Sequence, residues 1–361
     1  MFLSQKTIAS LSCLLRMIPM ARPLLFYPQG TTGGSEIFSH FRKLETREYP
    51  AKFPEETVSS SPEILVANTR LKIDRDTIRK FPSVRVFATV SSGVDHVNFS
   101  DLKREGKVFL NSPGCNAGSV AEYCWAALSE FLDQEEAKKK KIGLIGFGNT
   151  GKAFASILSN RGIPFVYNDP FIKEKSVPFE EALDSEIVSF HVPLTKEGPY
   201  PTYEMLDLLH ADRLRPGTLV LNTSRGEIWS KEAWQRILER KDLLRVLDVF
   251  RPEPPTGSDA ETMIDLADTI FTPHIAGYSQ LGRLLGTYRL AKKLSILYED
   301  GPLPPLGDFL KSEAPIRTST FLRKEDSDLR DAWRKGDWDY FERRRNTYPV
   351  RLDMGLFDSE E

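Results

Sequence analysis

The chain's 361 residues suffice for two domains with separate cores, and 40% apolar with 28% charged residues is the composition of an ordinary globular protein. A near balance of 49 basic against 51 acidic side chains, without a basic stripe, argues against nucleic acid or a membrane surface as the main partner and favours small-molecule chemistry. Cys13, Cys115 and Cys124 are odd in number and lack metal-ligand spacing, which speaks against a disulfide framework or a zinc site and fits a reducing compartment.

Residues 1–20 place Lys6 ahead of the apolar run Ile8–Leu15, but the run is short and Arg16 interrupts it, so it reads poorly as an export signal. The plainer expectation is a translation start at Met17 or Met20, directly before the first strand. No segment reaches the ~20 apolar residues that span a bilayer.

From about residue 22, apolar runs alternate with helical patterns, as in parallel sheets covered by helices on both faces. Strands are expected at Pro23–Tyr27, Ile64–Asn68, Val84–Thr89 and Lys107–Asn111, forming a smaller α/β lobe. Ser119–Glu130 reads as a long amphipathic helix, and the charged stretch Asp133–Lys141 as a solvated linker. Six further strands are expected at Ile142–Ile145, Phe165–Tyr167, Ile187–Val192, Thr218–Asn222, Leu244–Val249 and Thr269–Thr272, the full count of a doubly wound sheet. Leu281–Tyr298 is one long helix that could return to the first lobe and make it discontinuous. Gly301–Pro305 closes this unit. The charged, aromatic tail beyond includes a helix around Asp337–Arg345 whose arginines read as a solvated face, and it should pack on the body or on a second subunit.

The most informative stretch is Lys141–Gly151, where an apolar strand runs into Gly146, Gly148 and Gly151. In this spacing the first glycine allows a tight turn, the second lets a pyrophosphate approach the backbone, and the third lets the helix pack on its strand. The phosphates would meet free N–H groups at the start of that helix, near Asn149 and Thr150. Asp169 follows the next strand, about 20 residues on, where a carboxylate accepts from a ribose 2′-hydroxyl and repels a 2′-phosphate, favouring NAD over NADP.

Arg225, Glu253 and His274 each follow an expected strand, at the edge where α/β sheets hold their ligands. Oxidising an alcohol by hydride transfer needs a base for the hydroxyl proton. An imidazole works near neutral pH, and a neighbouring carboxylate orients such a ring and raises its pKa. His274 with Glu253 would supply that pair, and the rigid fork of Arg225 would hold a carboxylate or carbonyl oxygen. His40, His96, His191 and His210 read as structural.

Together, Gly-x-Gly-x-x-Gly at 146–151, Asn-x-x-Arg-Gly at 222–226, Asp-Val-Phe-x-x-Glu-Pro at 248–254 and Pro-His-Ile-Ala-Gly at 273–277 resemble the D-isomer-specific 2-hydroxyacid dehydrogenases, over residues 60 to 300 or so. The resemblance implies an α/β protein of two lobes: a Rossmann-type doubly wound parallel sheet and a smaller flavodoxin-like substrate lobe, with a short C-terminal dimerisation-type tail. The substrate lobe would comprise 21–117 and 279–300, the NAD-binding domain 118–278, and the tail 301–361, with 1–20 as an extension. Catalytic roles would fall on Arg225, Glu253 and His274. NAD contacts would fall on Gly146, Gly148, Asn149, Thr150, Gly151, Asp169, Val192, Asp248 and Gly277.

Four stretches, Ser92–His96, Pro113–Ala117, Pro193–Thr202 with its Gly-Pro-Tyr-Pro-Thr insertion, and His274–Tyr278, are similar to a branch of that family acting on a phosphorylated 2-hydroxy acid. The tail segment Phe341–Arg351 resembles that branch's dimerisation segment. This likeness implies substrate contacts at Thr69, Ser91, Ser92, Gly93 and Tyr278, a cytoplasmic homodimer, and no metal. Charge and position add Arg70, Lys72 and Arg351 as candidates for the phosphate. Departures from the branch are the opening Leu25–Gly30, Asn68 where an arginine is common, and an early end to the tail. The alternatives are another 2-hydroxyacid dehydrogenase, acting on glyoxylate, hydroxypyruvate or phosphoglycerate, and an NAD-sensing corepressor-like protein.

Overall fold

The computed structural model describes residues 22–50, 61–310, 319–348, 351 and 353. The expected N-terminal extension with Cys13, and tail positions 349 and 350, lie outside the described residues. The chain divides into two compact units, residues 1–116 with 280–313, and residues 117–279 with 314–361. The long helix Gln280–Tyr298 therefore belongs to the first unit, and the C-terminal helices belong to the second.

The first unit is built on a five-stranded parallel sheet in the order β2-β1-β3-β4-β5, formed by β1 (Leu24–Pro28), β2 (Glu45–Tyr49), β3 (Ile64–Val66), β4 (Val86–Ala88) and β5 (Val108–Leu110). This is the flavodoxin-like arrangement. Strand β2 was not among the expected strands. It lies at the sheet edge and reads Glu-Thr-Arg-Glu-Tyr, with only Tyr49 buried. Charged side chains suit an exposed edge and remove the apolar signal that reveals a central strand. On one face, Leu284, Tyr288, Leu290, Ala291, Leu294 and Leu297 of the Gln280–Tyr298 helix join Leu25, Ile64, Val66, Val86 and Ala88 in a single core. Gly286 is where this helix meets the chain after β4, since a Cβ there would lie 2.2 Å from the Val90 carbonyl oxygen.

The second unit holds a six-stranded parallel sheet in the order β11-β10-β9-β8-β6-β7. Its strands are β6 (Ile142–Ile145), β7 (Phe165–Asn168), β8 (Ile187–Phe190), β9 (Leu219–Asn222), β10 (Leu244–Leu247) and β11 (Thr269–Phe271). All six lie where the apolar runs put them; the central strands are buried on both faces and must be almost continuously apolar, while β7 at the edge is half-buried. Only one strand, β7, lies outside β6, where the usual dinucleotide order has two. An isolated bridge between Tyr167 and Ser176 occupies the outer edge of β7 instead.

Two cores flank this sheet. One joins the Ala117–Ser129 and Asn149–Asn160 helices to Leu144, Leu221 and Ile270. The other gathers Phe190, Trp229, Trp234, Phe250 and Phe271 with Leu329, Trp333 and Phe341 from the C-terminal helices Ser319–Arg334 and Tyr340–Thr347. The tail thus completes a core of its own unit. It also covers the sheet edge, because the Phe271 amide on β11 donates to Asp326 (2.9 Å) and Arg330 caps the Met263, Ile264, Leu266 and Thr269 carbonyls. Cys115 and Cys124 are buried free thiols, pushed up by burial to about 11 and about 12. Among the described residues no helix is long and apolar enough to cross a membrane.

Candidate active site

In the second unit the strand order reverses between β6 and β8, which is where an open α/β sheet leaves a crevice at its C-terminal edge. Gly146, directly after β6, has φ +93°, and a Cβ there would lie 2.8 Å from Val192 Cγ1 and 2.9 Å from the His191 backbone. Only glycine meets both demands. A Cβ on Gly151 would lie 2.2 Å from the Gly146 carbonyl, so this residue sets how closely the Asn149–Asn160 helix packs. Around Gly148, by contrast, nothing lies within 4 Å of an added Cβ. That open backbone, followed by exposed Asn149 and half-buried Thr150 in the first helical turn, fits a pyrophosphate on the helix N-terminus.

Asp169, after β7, accepts the Phe147 amide of the glycine loop (2.9 Å) and the Phe171 amide (3.0 Å). It is half-buried, fixed at the position expected of a ribose-binding carboxylate. Replacing Asp169 with alanine should weaken NAD binding about tenfold, the worth of one hydrogen bond to a charged group, and reduce the preference for NAD over NADP. Titrating both nucleotides by protein fluorescence checks this, and an unchanged preference would remove Asp169 from the ribose site. His191, beneath the loop against Phe154, is buried and held neutral, its imidazole pushed down to about 3 by desolvation.

Arg225, Glu253 and His274 follow β9, β10 and β11, three adjacent strands, so the topology delivers them to the same sheet edge as the glycine loop. At Arg225 the turn is shaped by Asn222, whose side chain accepts the Ser224 amide (3.1 Å) and donates to the Arg225 carbonyl (3.1 Å). The next residue must be glycine, since a Cβ on Gly226 would lie 1.8 Å from the Phe250 carbonyl oxygen.

His274 Nδ1 and Glu253 Oε1 are 2.6 Å apart, with the imidazole 21% and the carboxylate 18% exposed. The pair is shielded yet open to a ligand. Burial pushes the Glu253 carboxyl upward, but His274, Arg345 and the Phe250 amide oppose it and hold it below the usual carboxylate range. His274 sits at φ +55°, uncommon for a residue with a side chain, so neighbouring structure must fix it there. Asp248 does so: fully buried, it accepts the Thr272 hydroxyl (2.6 Å) and the Ile275 and Ala276 amides (2.8 and 2.9 Å).

Asp248, expected among the NAD contacts, has no exposed surface, and both its oxygens hold the 272–276 turn that carries His274. One expectation is corrected here. Arg351 was a candidate for the substrate phosphate. It is 3% exposed, and its guanidinium donates to the Ile275, Tyr278, Ser119 and Ala276 carbonyls at 2.9, 3.2, 2.6 and 2.5 Å. Those bonds make it a strut under the 275–278 loop and leave it unsuited to holding an anion. Gly277 and Tyr278, half-buried on that loop, remain beside the pair.

The tail arginines are corrected in part: Arg343 is exposed, but Arg344 is paired with buried Glu325 (2.8 Å), and Arg345 lies 3.4 Å from Glu253 Oε1. Sequence reasoning missed Arg345. Its signal is helical spacing, because Phe341, Arg345 and Tyr348 share one face and the two aromatics are buried.

The first unit offers its own edge. After β3, Asn68 accepts the Arg70 and Leu71 amides (3.0 and 3.2 Å), an Asx-turn that leaves Thr69, Arg70 and Lys72 exposed. After adjacent β4, Ser91 donates to the Gly93 carbonyl (2.9 Å) and Ser92 accepts the Gly114 amide (3.0 Å), so Ser91, Ser92 and Gly93 form a braced, half-buried turn.

A dinucleotide-type glycine loop, with Arg225 and the Glu253–His274 pair delivered to the same edge of a parallel sheet, has the layout of a nucleotide-dependent enzyme of the α/β class. Residues 117–276 match the D-isomer specific 2-hydroxyacid dehydrogenase NAD binding domain. The chain is 35% identical over 240 residues to the erythronate-4-phosphate dehydrogenase of Shewanella sediminis, covering 64% of this chain and 61% of that protein. With the enzyme of that name from Hahella chejuensis it is 33% identical over 81% of this chain and 74% of the relative. Several of the curated relatives are thus matched over less than two thirds of their length.

Among solved structures, an NAD+-bound 3-phosphoglycerate dehydrogenase of Entamoeba histolytica has a TM-score of 0.65 at 23% identity, covering 78% of this chain and 97% of that one. A D-lactate dehydrogenase of Aquifex aeolicus has 0.63 at 22%, covering 77% and 96%. These two share the fold. The chain belongs to the D-isomer specific 2-hydroxyacid dehydrogenase family, and its second unit contains that family's NAD-binding domain.

Proposed function

We propose that this protein oxidises 4-phospho-D-erythronate at C2 to 2-oxo-3-hydroxy-4-phosphobutanoate with NAD, in pyridoxal phosphate synthesis. The observation that carries the chemistry is the 2.6 Å contact between His274 Nδ1 and Glu253 at the sheet edge that bears the glycine loop. NAD, when bound, supplies the hydride acceptor. With Nδ1 held by Glu253, His274 has Nε2 left to take the C2 hydroxyl proton, and ionised Glu253 balances the charge that forms on the ring. Arg225 holds the substrate carboxylate and polarises the carbonyl in the reverse direction.

The substrate assignment draws on the relatives' names and on the phosphate-suited cations Arg70 and Lys72, exposed beside the Asn68 turn. Replacing both with glutamine should raise KM for the phosphorylated acid about tenfold or more while sparing NAD binding, and an unchanged KM would discard this phosphate site. A homodimer formed through residues beyond 301 and a place in the cytoplasm complete the reading.

The test is a steady-state assay of NADH formation with 4-phosphoerythronate beside erythronate and 3-phosphoglycerate at matched concentrations. Strong preference for 4-phosphoerythronate supports the assignment. Turnover of another acid alone overturns the substrate while keeping the chemistry, and tight NAD binding without turnover of any 2-hydroxy acid overturns both.

A further inference from the structure

We infer that Arg345, carried by the C-terminal Tyr340–Thr347 helix, is a positioning residue of the catalytic pair, clamping Glu253 against His274 and holding Tyr278 beside them. The inference rests on the reading of Glu253 and His274 as the proton-handling pair. Arg345 Nη1 lies 3.4 Å from Glu253 Oε1, the same oxygen that lies 2.6 Å from His274 Nδ1. The other oxygen accepts the Phe250 amide at 3.2 Å. The carboxylate is therefore gripped from three directions, by the loop it starts from, by the ring it serves and by the tail.

The guanidinium also interacts electrostatically with Tyr278, and Glu342 lies 3.8 Å from it on its own helix. Phe341 at 0% and Tyr348 at 4% exposure flank Arg345 on the inward face, so the side chain is steered toward Glu253 by packing. Tyr348 also packs against Tyr278, with ring centroids 6.1 Å apart.

The charges decide what this does. Arg345 helps hold Glu253 in its ionised form, and its grip on that carboxylate fixes the direction of the ring bonded to it. The groups facing this cluster are His274, Arg345 and the Phe250 amide around Glu253, Asp248 behind His274, and Glu342 and Tyr278 around Arg345.

Arg345→Met keeps most of the packed stem and removes the charge, and Arg345→Lys restores the charge without the fork. Thermal melting first establishes that each is folded. With Arg345→Met we expect kcat to fall about tenfold at neutral pH, NAD affinity to hold, and the acid limb of the kcat/KM profile to move upward by about 0.5–1 pH unit. Arg345→Lys should return the limb toward its original position. A readout independent of turnover is 13C NMR titration of the Glu253 carboxyl, assigned with Glu253→Gln, whose midpoint should rise in Arg345→Met.

An unchanged Glu253 titration overturns the proposal. So does an unchanged pH profile with KM for the phosphorylated acid raised, which would make Arg345 a substrate contact. A shifted Glu253 titration in a protein that turns over no 2-hydroxy acid would retain the clamp and discard the proposed function. If Arg345→Met does not fold, Arg345→Lys alone decides, since loss of the fork should still lower kcat and an unchanged kcat overturns the clamp.

Discussion

Replacing His274 with alanine should lower turnover by about 10²- to 10⁴-fold while leaving the NAD dissociation constant almost unchanged. The split follows from the geometry. His274 lies on the turn after β11 with Nδ1 on Glu253, whereas the proposed nucleotide contacts, Gly146, Gly148, Gly151 and Asp169, follow β6 and β7. Removing the imidazole deletes the proposed proton acceptor and leaves those backbone groups in place. The turn itself should survive, because Asp248 fixes it through the Thr272 hydroxyl and the Ile275 and Ala276 amides, without using the ring. Steady-state kinetics with a fluorescence titration of NAD separates the two effects. Turnover within about tenfold of the parent would make His274 structural and leave the reaction without a base.

Trp333 carries the second large effect, on stability. Its indole is 1% exposed and lies edge-on to Phe250, with ring centroids 6.2 Å apart, while Phe271 lies 6.1 Å away and Phe341 contacts Phe250 from another side at 5.3 Å. Trp333→Ala removes the largest C-terminal side chain from this cluster and should cost about 3–5 kcal/mol. Such a loss lowers the melting temperature of a unit this size by roughly 10 °C. Phe250 also starts the loop that carries Glu253, so activity measured below the melting temperature should fall too. Scanning calorimetry checks the first effect. A melting temperature within about 2 °C of the parent would mean that the C-terminal helix adds little to this core.

The six strands of the second unit were readable: five are almost wholly buried and so apolar along their length, and β7, half-buried at the edge, still carries the apolar run Phe165–Tyr167. β2 was not, since an edge strand built from Glu45, Arg47 and Glu48 has no such pattern. The strand order on the outer side of β6 was unreadable for a related reason: local periodicity tells where a strand is, and pairing depends on contacts far along the chain.

The Arg225, Glu253 and His274 set stood out because each follows a strand in a parallel sheet, and the structure brings Glu253 and His274 into contact. Arg351 was misplaced because charge and position suggest a ligand, whereas burial turned its guanidinium to backbone carbonyls. Arg345 was hidden in a run of three arginines that point in different directions around their helix.

The strut formed by Arg351 has a temporal side. Its guanidinium joins carbonyls at 119, 275, 276 and 278, so the loop bearing Tyr278 is tied to a residue made some seventy positions later. A chain still on the ribosome can form its glycine loop and strands, yet the core that the C-terminal helices complete and the 275–278 loop both stay unfinished until the tail clears the exit tunnel. Fastening of the 275–278 loop should therefore be among the last steps of folding.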